Sequence, residues 1–255
     1  MATALRCFLP LRTNVLCVRY FNIFKYYENN ATTPSQLRVK KDLEHGYFSD
    51  HNQLAKDPKG KLFPATGPKP IRPSIAKRFP IQCLKLKTFS GQAANLATIL
   101  QQSPTTLVLV SMRRPFCVDM IESWKRPMQT THPSLPIQEV VLVDNVGYWL
   151  TWMIWKSIFR KTIPREEWAT CAYHFGKPPQ LCDELELTNK FVGYAYLVDR
   201  NQKIRWKGCG MAETKELENL SSCITRLNTH INHKGHDHPD EHDDIDDNDE
   251  NDGKN

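Results

Sequence analysis

Three stretches of this chain predict an α/β domain with a parallel sheet core. The first is Thr105 to Met112, Thr-Thr-Leu-Val-Leu-Val-Ser-Met, whose length and Leu/Val content suit a strand buried on both faces. The second follows at once. Cys117, Met120, Ile121, Trp124 and Met128 fall at i, i+3, i+4, i+7 and i+11 and so share one helix face, with Pro115 in the first turn and Pro127 where the helix should end or kink. The third is a hairpin pattern, Gly193 to Asp199 and Lys203 to Lys207 about Arg200-Asn201-Gln202, followed by Leu217, Leu220, Ile224 and Leu227 on one helix face.

A central strand, a tight turn carrying Pro and Cys, an amphipathic helix and a closing hairpin with its helix make a thioredoxin-like domain. In a redox member of that fold two cysteines stand two residues apart at the turn, one a low-pKa nucleophile and one to resolve the mixed disulfide. Here Arg113-Arg114-Pro115-Phe116-Cys117 supplies one cysteine.

Residues 1–28 read as a mitochondrial transit peptide. Arg6, Arg12, Arg19 and Lys25 are interleaved with Leu, Phe, Val and Tyr, and no acid precedes Glu28. Arg12 and Arg19 interrupt any apolar core that a secretory signal would need. Residues 29–78 are basic and rich in proline (Pro34, Pro58, Pro64, Pro68, Pro70, Pro73), with too few apolar side chains to bury, so an extended, solvated linker is expected. The folded body should occupy 79–228.

Within that body, Ile81 to Phe89 alternates as a strand and Ser90-Gly91 turns. Ala93, Leu96, Ala97 and Leu100 have helical spacing, and Ser103-Pro104 punctuates before the central strand. Ile137 to Val143 is another Val-rich strand. Pro164-Arg165-Glu166-Glu167 resembles a helix start, Tyr173 to Pro179 a break, and Leu181 to Leu187 an alternating segment. Cys209 lies between two glycines, which permit positive φ at a strand end.

Between these elements Val146 to Phe159 forms an aromatic-rich helical insertion with Trp149, Trp152 and Trp155 three residues apart. Its 14 residues would make roughly 21 Å of helix, too short for a bilayer core of about 30 Å. Three readings compete: a buried core helix, an exposed surface that receives a hydrophobic client, or an interfacial membrane helix, since tryptophan suits all three. On the second reading Trp149, Trp152, Met153, Trp155 and Phe159 are the candidate client-binding residues. Arg160, Lys161 and Arg165 would suit anionic head groups or a helix carboxyl end.

The formal charge of +6 conceals an asymmetry. Of 34 basic and 28 acidic side chains, two and ten fall in residues 229–255, leaving 32 against 18 in residues 1–228, about +14. Such a body can meet anionic lipid, nucleic acid or an acidic protein, and charge alone does not choose. No nucleic-acid motif or base-stacking pattern is present, so no nucleic-acid partner is expected. The eight cysteines show no C-x-x-C pair and no zinc-like spacing, which fits scattered thiols in a reducing compartment. Residues 229–255 mix five histidines with acids at no fixed spacing. They read as a disordered tail and not as a metal site.

Three stretches together resemble a known family: Phe116 to Met128 with Trp124; Leu185-Glu186-Leu187-Thr188-Asn189 leading to Gly193-Tyr194-Ala195-Tyr196-Leu197-Val198-Asp199; and Ile204-Arg205-Trp206-Lys207-Gly208-Cys209-Gly210-Met211-Ala212. The chain resembles the mitochondrial ATPase-complex assembly factors of the ATP-ten family over about residues 79–228, most specifically in Trp-Lys-Gly-Cys-Gly. That resemblance implies a matrix-side protein peripherally associated with the mitochondrial inner membrane. Its implied role is a chaperone of the ATP synthase membrane sector that holds the proton-channel subunit a until it joins the ring of c subunits. It implies no catalytic residues and no cofactor.

The alternative is a thiol oxidoreductase of thioredoxin or peroxiredoxin type using Cys117. Arg113, Arg114 and a helix amino terminus would lower its thiol pKa. Against this, a resolving thiol would have to come from Cys83, Cys171, Cys182 or Cys209, and Phe191-Val192 stands where a redox member of the fold has proline.

Overall fold

The computed structural model describes residues 48–143, 156–157, 163–176 and 178–234. The elements are α1 (Phe48–Lys56), β1 (Leu86–Thr88), β2 (Ala93–Ala94), α2 (Leu96–Gln101), β3 (Thr105–Ser111), α3 (Arg114–Thr131), β4 (Ile137–Val143), β5 (Cys171–Phe175), α4 (Pro179–Glu184), β6 (Tyr194–Asp199), β7 (Ile204–Cys209) and α5 (Thr214–Lys234). Among the described residues the strands form one sheet in the order β2-β1-β5-β4-β3-β6-β7. β3, β4 and β5 are parallel, and the remaining pairings are antiparallel. This is a thioredoxin-like arrangement: a parallel unit β5-β4-β3 in which β3 feeds α3, flanked on the β3 side by the β6–β7 hairpin and closed by α5.

The Leu/Val run buries as its composition requires, every residue of β3 being inaccessible. Leu107, Val108, Leu109 and Val110 pack with Ile121 and Trp124 of α3, Val140 and Leu142 of β4, and Leu220 and Ile224 of α5 in one apolar core. Alternate residues of β4 point the other way. Val141 and Val143 join Phe89, Ile163, Cys171 and Tyr173 in a second, smaller cluster.

Several elements depart from their sequence reading. α3 runs through Pro127 to Thr131, because Trp124 and Met128 on either side of the proline are both buried and tertiary packing outweighs the lost hydrogen bond. Its irregularity lies instead at Cys117, whose φ of −121° and ψ of 19° are not helical. Ile81–Cys83 is a 3-10 turn, which shortens the expected strand to β1. Ala93–Ala94 pairs with β1, and the helix begins only at Leu96, capped by the Asn95 side chain, which accepts from the Ala97 N–H. Arg165–Glu167 is only a 3-10 turn. β5 fills the expected break at Tyr173, and the alternating segment at Leu181 is the short helix α4. Residues 1–28, expected to be a transit peptide, residues 29–47, most of the stretch 146–159 and the tail from Gly235 lie outside the described residues.

The largest difference concerns residues 57–78, expected to be solvated. They form neither helix nor strand apart from short turns, yet they strap the domain. Thr66 N–H donates to Lys207 C=O at 2.9 Å and Ile71 N–H to Arg205 C=O at 2.8 Å, while Ile204 N–H donates to Lys77 C=O at 2.9 Å and Phe79 N–H to Gln202 C=O at 2.7 Å. The strap thus covers the otherwise open edge of β7. Trp206 also holds the middle of the strap, and it packs on Trp124. Trp206 donates its indole N–H to Thr66 C=O at 2.8 Å, Trp124 donates to Gly210 C=O at 2.8 Å, and the two rings meet edge to face at 5.4 Å.

These contacts explain the Trp-Lys-Gly-Cys-Gly sequence. A Cβ on Gly208 would stand 2.6 Å from the Trp206 ring and 3.2 Å from that of Trp124. Gly210 has a φ of +70° and lies so close to the strap that a Cβ would be 2.2 Å from Lys59 O. Between them the buried Cys209 sulfur accepts from Leu62 N–H at 3.2 Å. Gly210→Ala should therefore destabilise the fold by at least about 2 kcal/mol, through left-handed backbone strain and the backbone clash together. Denaturant titration measures this, and an unchanged midpoint would mean that the strap does not pack there.

Candidate functional site

In this fold the chemistry of redox members sits at the turn between β3 and α3, facing the loop before β6. Arg113 to Cys117 form that turn. Arg114 points inward and is 1% exposed, and its guanidinium makes a two-pronged contact with Glu139 of β4, itself 2% exposed: Nε to Oε1, and Nη2 to Oε2 at 3.3 Å. A lone acid in a Val-rich buried strand needs a buried cation, and Arg114 supplies it. Burial alone would lower the guanidinium pKa, but the charge of Glu139 and the hydrogen bond to it more than reverse that, so Arg114 stays charged.

Cys117 lies behind this pair, fully buried, with its sulfur 3.5 Å from Arg113 C=O. Burial pushes its thiol pKa up to about 12; the Arg114 charge pulls it back only in part, and Glu139 adds to the rise. Arg114 is the cation expected to activate the thiol, but it has a partner of its own. Glu139 occupies the guanidinium, and Cys117 sits in the non-helical part of α3, off the regular amino-terminal turn. Two of the thiols named as resolving partners fare no better. Cys171 is raised well above its ordinary value by burial, and Cys209 is raised by burial against hydrogen bonds from the strap backbone.

The facing loop is occupied as well. Asn189 Nδ2 donates to Asp50 C=O at 2.9 Å and to Gln53 Oε1 at 3.1 Å, and Lys190 N–H donates to the Asp50 carboxylate at 3.1 Å, so α1 sits on this loop. Phe191 meets the Phe116 ring edge to face at 5.2 Å, with the Arg113 guanidinium 5.5 Å from the Phe191 ring centre. At its usual catalytic position the fold thus holds an ion pair, a packed thiol and an aromatic seal. Among the described residues no cluster of His, Cys, Asp or Glu is arranged to hold a metal ion.

The candidate client-binding residues Trp149, Trp152, Met153, Trp155 and Phe159 lie outside the described residues. Lys156, within the same insertion, is described: its Nζ stands 5.7 Å from the Tyr173 ring centre on β5. Tyr173 belongs to the second apolar cluster, so Lys156 stands on that side of the sheet.

The class defined by this fold and turn is a thioredoxin-like domain without a cysteine pair at its turn. The chain belongs to the ATP10 family, whose model, described as ATP10 protein, matches residues 19–227 and so takes in the strap as well as the body expected from residue 79. A Schizosaccharomyces pombe protein named mitochondrial ATPase complex subunit atp10 is 35% identical over 143 residues, which are 54% of this chain and 50% of that protein. A Saccharomyces cerevisiae protein named mitochondrial ATPase complex subunit ATP10 is 36% identical over 87 residues, 34% of this chain and 28% of that one. The matched region thus spans half or less of these relatives. Among solved structures, a DsbE-type thiol:disulfide interchange protein from Chlorobium tepidum superimposes with a TM-score of 0.41 at 16% identity, covering 60% of this chain and 96% of that one.

If Arg114 and Glu139 serve packing, removing one should cost about 3–5 kcal/mol by stranding a buried charge. Replacing both, as Arg114→Met with Glu139→Leu, should recover most of that loss. A double-mutant cycle in guanidinium chloride reads this out, and single variants that cost nothing would show the pair to be dispensable.

Proposed function

We propose that this chain acts in mitochondria in assembly of the ATPase complex, and that it does so without catalysis. Membership of the ATP10 family over residues 19–227 carries the reading. Two relatives named as mitochondrial ATPase complex subunits support it, as does the basic, acid-free start at residues 1–28 that suits a transit peptide. The sealed turn at Cys117 counts against the thiol oxidoreductase alternative.

In finer terms, the protein works on the matrix side of the inner membrane and holds the proton-channel subunit a until it joins the ring of c subunits. A membrane subunit awaiting its partners exposes apolar surface, and its helper needs an apolar face of its own. Trp149, Trp152, Met153, Trp155 and Phe159 form that face in this reading. The position of Lys156 beside Tyr173 supports it, because Phe175, 38% exposed, extends apolar surface from the same strand.

Crosslinking of the imported protein in mitochondria tests the proposal. The wild type should crosslink to subunit a. A Trp149→Ser, Trp152→Ser, Trp155→Ser variant should lose that product at least about ten-fold while keeping its melting temperature. Unchanged crosslinking would remove the aromatic face from the account, unfolding would assign those residues to the core, and a wild type that meets no ATPase subunit would overturn the assembly role.

A further inference from the structure

Residues 58–118 contain ten basic side chains and no acidic one. The fold gathers part of this charge at one place. The strap turn Arg72–Ala76 is closed by N–H groups of Ile75 and Ala76 donating to Arg72 C=O, at 3.2 and 3.0 Å. It lies against the β6–β7 turn through the bonds Phe79 to Gln202 and Ile204 to Lys77, a bridge between Arg78 and Lys203, and a Lys203 Nζ contact to Pro73 C=O at 3.1 Å. Lys69, Arg72, Lys77, Arg78, Arg200 and Lys203 are thereby brought together. The nearby acids are already engaged: Asp199 by Arg205 at 3.0 Å, and Glu186 by Lys207 at 2.8 Å and by Lys77 at 3.8 Å.

At the tip of this turn stands Ile75, 72% exposed, held outward while Ala76 beside it is buried. Among the described residues it is the most exposed large apolar side chain. An aliphatic residue presented by a hydrogen-bonded turn and ringed by cations can enter the head-group region while the cations meet lipid phosphates. Single-stranded nucleic acid would want exposed aromatic rings for stacking, and this turn presents none.

We propose that the strap turn, with Ile75 at its tip, is a docking surface for an anionic lipid bilayer. This deepens the membrane placement of the proposed function and rests on it for its setting. The chemistry is independent of any ATPase subunit, so the two readings fail separately. No described helix is long and apolar enough to cross a membrane, so contact of this kind would be peripheral for the described residues.

The test is co-sedimentation of the full chain with vesicles of phosphatidylcholine alone or mixed with phosphatidylglycerol. Binding should require the anionic lipid and weaken as salt is raised. Arg72, Arg78 and Arg200 are exposed, and no carboxylate pairs with them among the described residues. Changing all three to Glu should cut partitioning at least about hundred-fold, at about five-fold per cation lost. Ile75→Ser should cut it several-fold and leave the salt dependence as it was. Melting temperatures should match the wild type. Equal binding to neutral vesicles, or undiminished binding by the Glu variant, would overturn the proposal. So would failure of the full chain to sediment with anionic vesicles at low salt, which would favour the chain's own acidic stretch, 235–255, as the occupant. Should vesicle binding fail while subunit a is still crosslinked, the lipid surface falls and the assembly role stands.

Discussion

A buried arginine must be paired, and in this molecule the pairing of Arg114 with Glu139 determines what the central turn can be. The contact links the start of α3 to the middle of β4, across the seam where the parallel part of the sheet meets its main helix. Both groups are out of water, so neither can be spared for chemistry without stranding the other. Cys117 inherits the consequence. Its sulfur sits in an apolar interior beside a cation that is already neutralised, and burial decides its protonation. A strand, a tight turn and a helix that elsewhere would activate a thiol here hold one in storage.

The second organising contact lies at the far end of α3. Trp124 and Trp206 meet edge to face, and each donates its indole N–H to a carbonyl of the chain wrapped around them, one at Gly210 and one at Thr66. Such a pair adds about 0.5–1.5 kcal/mol beyond its area burial, and it also sets geometry. Gly208 makes room for the rings, and Gly210 lets the strap pass. The strap completes the edge of β7, so residues that looked like a tether are part of the domain. The family match beginning at residue 19 agrees with that extent.

Much of this was legible in the sequence. The Leu/Val run, the 3.6-residue spacing of Cys117 to Met128 and the hairpin about Arg200 each reflect local rules, and each stands where those rules place it. What escaped was non-local. Glu139 is one acid in a buried strand, and only the fold reveals that Arg114 meets it, although a charge among valines implies a buried partner. The strap escaped because its prolines and lysines make no apolar pattern. Its hold comes from backbone hydrogen bonds and the Trp206 indole N–H, which leave little mark on composition. β5 escaped because its five residues are bounded by a short turn and no strong alternation. The aromatic insertion was the most conspicuous stretch in the chain, yet its aromatic side chains lie outside the described residues.

The usual catalytic turn of this fold holds a buried ion pair and a packed thiol, and the proposed function rests instead on surfaces, the aromatic stretch 146–159 and the basic turn beyond β7. That view depends on Cys117 being inert. The most direct measurement is alkylation of Cys117 in the native protein as a function of pH, followed by peptide mass spectrometry. The account predicts no appreciable reaction near neutrality and a thiol that titrates at about 12, with rapid labelling only after denaturation. A Cys117 that alkylates readily at neutral pH, with a midpoint below the ordinary thiol value, would contradict it.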